Sequence, residues 1–107
     1  MSLQQLREKL NKGFYIDNLY EMARLCKVIA LESHNPAPFF IMQKVFSGIA
    51  DYWDDRPVDA DEAKLVENEL KKSLVDLIDM LESKANDEKI TGMLNKVVSS
   101  YLFMFNK

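Results

Sequence analysis

The chain has few residues that interrupt regular structure. Three glycines and three prolines stand among 107 residues. That is too few for the repeated tight turns of a sandwich or barrel, and it favours long helices. Cysteine is scarce as well. The lone Cys26 excludes a disulfide within the chain, and the residue is expected as a small buried hydrophobe. The only histidine is His34, eight positions further on. On one helix that is too far for it to serve Cys26 as a base, so a thiol nucleophile has no partner in view. His34 is expected instead to meet the negative end of the helix before it. No glycine-rich phosphate loop occurs, and Ser47, Ser99 and Ser100 lack a recognisable base. Apolar runs stay well short of the roughly 20 residues that span a bilayer. The opening MSLQQLREKL lacks the uninterrupted apolar stretch of a signal peptide. A cytoplasmic protein without a membrane span is expected.

What is present is ordinary in amount and uneven in placement. Apolar residues make up 48% of the chain and charged residues 29%, the values of a globular protein. The length favours one domain, residues 1–107, which buries roughly 60–70% of its unfolded surface. The net charge of −3 conceals an asymmetry. Residues 51–88 carry 13 acidic and 5 basic residues, a balance of −8, and the remainder carries 4 and 9, a balance of +5. The acidic part is unsuited to phosphate backbones, and the basic residues elsewhere are scattered, so no nucleic-acid partner is expected. The charges read as solvated helix surface, or as an acidic face for a basic partner.

Residues 36–55, PAPFFIMQKVFSGIADYWDD, are the most apolar stretch. At about 100° per residue, apolar side chains from Phe39 to Trp53 cover about half the helix circumference, wider than a surface stripe. Such a helix needs at least two neighbours, so it is expected at the centre of an all-α domain. The rest arranges around it. Residues 2–12 read as a short helix with Ser2 as cap, Leu3, Leu6 and Leu10 in line, and Gly13 at the left-handed stop. A second helix runs from 14 or 17 to 33, with Tyr15, Leu19, Met22, Cys26 and Ile29 on its core stripe. Leu25, Val28 and Leu31 lie off that stripe, towards the short helix or a partner. Asn35 is the expected cap of the central helix, with Pro36 in its first turn. Gly48 could allow a close helix approach there. Asp54 and Asp55 are poorly placed at a helix C-terminus, and Pro57 follows them. Asp59 with Glu62 resembles a capping box and opens a fourth helix along Ala63, Val66, Leu70, Leu74, Leu77 and Leu81. Asn86 caps a fifth, with Ile90, Met93, Leu94, Val97, Val98, Tyr101, Leu102 and Phe105 inward.

Helical bundles can build metal sites from helix-borne carboxylates, and Asp51, Asp54, Asp76 and Asp79 are the candidates. Asp76, Asp79 and Glu82 lie largely opposite the leucine line, however, which disfavours an inward site. Tyr52 and Trp53, among Asp51, Asp54 and Asp55, could form a ligand mouth, although burial at a helix end explains them more simply. Phe40, Leu65, Val75 and Phe103 face away from their own core stripes and form a candidate interaction surface. The expected fold is therefore all-α: an antiparallel up-and-down bundle of four main helices, with the short N-terminal helix across one end or side. In size and class it is similar to small bundles that act only by binding, such as bacteriocin immunity proteins, without a motif that carries the likeness. The expected function is a non-enzymatic protein-interaction module (adaptor, regulator or immunity-like). It has no cofactor and no catalytic residue, and its partner is a protein, including a second copy as a homodimer. The alternative is a metal-dependent bundle enzyme or metal-binding protein using the four aspartates.

Overall fold

The computed structural model describes residues 3–56 and 58–105, so the expected cap Ser2 and the helix-stopping Pro57 lie outside the described residues. Five helices follow one another: α1 Leu3–Lys12, α2 Ile16–Glu32, α3 Ala37–Asp54, α4 Ala60–Glu82 and α5 Asp87–Phe105. Among the described residues there is no strand. The fold is an all-α bundle, and one apolar core runs between the five helices.

Local chemistry explains most boundaries. Gly13 ends α1 with φ +104° and donates its N–H to the Leu10 carbonyl at 3.2 Å. The next N–H, of Phe14, donates to the Glu67 carboxylate on α4 at 2.7 Å. Buried Asn18 donates its side-chain amide to the Lys9 and Gly13 carbonyls, both at 2.7 Å. These bonds satisfy backbone groups that the end of α1 leaves open and fix the α1–α2 corner. Asp59 caps α4 by accepting from the Glu62 N–H at 2.6 Å. Asn86 does the same for α5, accepting from the Lys89 N–H at 2.9 Å. Between α4 and α5, the Ala85 N–H reaches the Met80 carbonyl and the Lys84 N–H the Leu81 carbonyl. That pair of bonds is a Schellman stop, with Lys84 at φ +57° in the position that usually takes glycine.

Two local expectations are corrected. Asn35 does not cap α3. Pro36 takes the cap position in helical geometry with no side-chain cap bond, and the Asn35 N–H donates back to the Ser33 hydroxyl at 3.0 Å. Tyr15 does not begin the core stripe of α2. It holds the extended cap position and is exposed, while Phe14 beside it turns inward.

The packing order differs from the chain order. α2 pairs with α3 and α4 with α5, as their short connections require. α3 then lies against α5 rather than α4. Gly48 explains this approach: a methyl group there would overlap the Tyr101 hydroxyl. The rings of Tyr52 and Trp53 meet Phe105 edge-on at 5.1 and 6.5 Å, so α3 and α5 run parallel with their C-terminal ends together. α1 fills the side between α2 and α4. Lys9 pairs with Glu21 at 2.6 Å, and Arg7 pairs with Asp79 and Glu82. The short helix is thus a fifth wall, antiparallel to both neighbours, and it covers Leu25 and half-buries Val28.

Candidate interaction surface

The four residues expected at an interaction surface are split by the fold. Phe103 is 87% exposed and Leu65 59% exposed. With Glu69, Ser99, Ser100 and Met104 they line a groove of about 580 Å³ between α4 and α5. These two helices are antiparallel, which brings position 65 beside 103. Val75 is not part of this groove and is half-buried against the core. It lies on the α4 line through Glu67, Asp79 and Glu82, and α1 covers that line through Arg7 and Phe14. Phe40, 53% exposed, lies at the other end of the bundle. It lines a second groove of about 730 Å³ with Leu31, Lys27 and the first residues of α3. Leu31 is 79% exposed. Its position off the α2 stripe was the sequence signal for this second surface. Leu102, expected inward, is exposed, because Tyr101 and Phe105 are the residues that meet α3.

Two of the four candidate aspartates, Asp51 and Asp79, are engaged elsewhere. Asp51 accepts from the Tyr20 hydroxyl at 2.7 Å, and this bond pushes the Tyr20 phenol up to about 12. Asp79 and Glu82 hold the Arg7 guanidinium, which raises its pKa, chiefly through the hydrogen bond to Asp79. Lys9 lowers the pKa of Glu21 by hydrogen bonding to it. Among the described residues, no group of three or more His, Cys, Asp or Glu side chains could hold a metal ion.

The expected mouth around Tyr52 and Trp53 is taken up by packing. Arg56 stacks on the Tyr52 ring at 4.1 Å and donates to its hydroxyl at 3.1 Å, with Phe105 on the same ring. Trp53 is buried, its indole N–H has no acceptor among the described residues, and it forms part of a hollow of about 640 Å³ with Asp54 and Asp59. Asp59 is already committed to the α4 cap. His34 is exposed beyond the Ser33 cap of α2. Cys26 has no exposed surface, and burial pushes its thiol up to about 12. No helix of the described residues is long and apolar enough to cross a membrane. No protein-family model matches the chain, and no curated protein or solved structure matches it significantly.

Proposed function

We propose that the chain is a non-enzymatic interaction module that pairs with a second copy of itself through the α4–α5 face. The observation that supports this reading is Phe103, a large apolar side chain 87% exposed beside a hollow containing Leu65 and Met104. The patch holds both a knob and a groove. Across a two-fold axis, each Phe103 would enter the groove of the other copy. Among the described residues, Glu69 is the one charged residue lining that groove. Like copies therefore meet there without the repulsion that a net charge of −3 would bring elsewhere. Such a module would serve as a regulator or adaptor in the cytoplasm.

The metal-dependent alternative through Asp51, Asp54, Asp76 and Asp79 has less support, because Tyr20 holds Asp51 and Arg7 holds Asp79. The test is Phe103→Asp. It should convert the dimer to monomer while leaving the helical circular-dichroism signal intact, and Phe40→Asp, at the other end, should leave the dimer in place. A dimer indifferent to Phe103→Asp contradicts the proposal.

A further inference from the structure

The α2–α3 groove differs from the Phe103 face in its charge. Leu31 and Phe40, both largely exposed, line it. No carboxylate lines it, and Lys27 does. A second ammonium, that of Lys44, lies 5.2 Å from the centre of the Phe40 ring. Neither lysine meets a carboxylate among the described residues, whereas Arg7 and Lys9 are both paired.

The groove also contains Pro36 and Ala37, where α3 begins. That helix start has no side-chain cap and no acidic residue in its first turn. α4 and α5 begin with Asp59 and Asn86 caps and with acidic first turns. The start of α3 thus lacks a side-chain cap, because Asn35 is not used there, and the C-terminal end of α2, which carries the opposite partial charge, lies beside it. Two exposed apolar side chains and two lysines that meet no carboxylate among the described residues converge on one place.

We propose that this groove docks an acidic amphipathic helix of a partner protein, one that inserts a large apolar side chain and sets carboxylates against Lys27, Lys44 and the start of α3. A groove between two antiparallel helices suits a helix that anchors through residues at i, i+4 and i+7. Charge complementarity sets the partner's sign. An anionic membrane would offer the same charges. The space of about 730 Å³ between the end of α2 and the start of α3 gives a single apolar side chain a place to enter, which favours the helix. The site lies at the opposite end from Phe103, so a self-paired chain would present two such grooves.

The experiment titrates the full chain into a fluorescein-labelled synthetic helix carrying Leu and Phe at anchor positions and Glu on the flanks, read by anisotropy. A second peptide keeps the anchors and carries Lys for Glu, and vesicles of phosphatidylserine with phosphatidylcholine form a third arm. Saturable binding of the acidic peptide is expected, at least about tenfold tighter than that of the basic one and weakened by salt. Phe40→Asp and Leu31→Asp should each weaken it about tenfold or more, Lys27→Glu should weaken it too, and Phe103→Asp should leave it unchanged. The proposal is overturned by equal binding of the two peptides, by no saturable binding, by indifference to both Phe40→Asp and Leu31→Asp, or by tighter binding to the vesicles. Growth of the native chain into open-ended polymers that Phe40→Asp abolishes would also overturn it, since a second copy would then be the occupant.

Discussion

Cys26 and Gly48 show how single positions carry the fold. Cys26 lies fully buried on α2 among Leu19, Met22 and Ile29, and burial alone raises its pKa to about 12. The folded value lies above the ordinary value of 9.0. The protonated thiol therefore contributes stability that is complete below about pH 9 and is lost as the pH rises towards 12. A thiol reagent should label the native protein slowly from pH 7 to pH 10 and the denatured protein at once. Rapid native labelling would place the thiol at the surface. At Gly48 the issue is space. Gly48→Ala gains about 1 kcal/mol in helix propensity and loses about 1–3 kcal/mol to overpacking against the Tyr101 hydroxyl, so the single change reads between neutral and about 2 kcal/mol destabilising. The clash shows in the double variant. Tyr101→Phe should be less harmful when combined with Gly48→Ala than in the native chain, with a coupling of about 1 kcal/mol in denaturant unfolding. Additive changes would mean that α5 does not close on α3 at this point.

Helix ends govern the elements. Asp59→Ala removes the bond to the Glu62 N–H and should cost about 0.5–2 kcal/mol in chemical denaturation. An unchanged midpoint would mean that α4 starts elsewhere. Asp59 and Asn86 were legible from the sequence because a short polar side chain needs only its own next turn to act as a cap. The same rule points to Asn35 and fails there. Pro36 adopts helical geometry and takes the cap position, so the Asn35 N–H turns to Ser33 instead. The apolar stripes of α3 and α4 were legible for a similar reason, since their period belongs to one segment alone. The corner held by Asn18, Gly13 and Glu67 was not. Glu67 reads as one acid in an acidic helix, and its role depends on a backbone N–H that is 53 positions away. Nor could periodicity show which outward residues stay uncovered. Val75 and Leu65 both leave the α4 core line, and the placement of α1 alone decides that one is covered and the other is not.

At the scale of the whole molecule, the five helices close one core, and the Phe103 and Phe40 grooves lie at opposite ends of a body 38 Å long. α1 completes the wall between α2 and α4, and its cations meet acids that would otherwise crowd one side: Arg7 holds Asp79 and Glu82, and Lys9 holds Glu21. What remains open differs in character. Among the described residues, Glu69 is the one charge lining the Phe103 groove, while Lys27 and Lys44 stand beside the Phe40 groove. Exposed patches of this kind mark partner surfaces. The proposed occupants are a second copy at the Phe103 end and an acidic helix of another protein at the Phe40 end. The outward facing of Phe40, Leu65 and Phe103 was legible in the helical period, and which of them lie together required the three-dimensional arrangement. Light scattering on a sizing column, run over a range of concentrations, tests the self-pairing most directly. The account predicts a mass of about twice the 12.4 kDa of the chain, and a species that stays at 12.4 kDa at the highest concentration would contradict it.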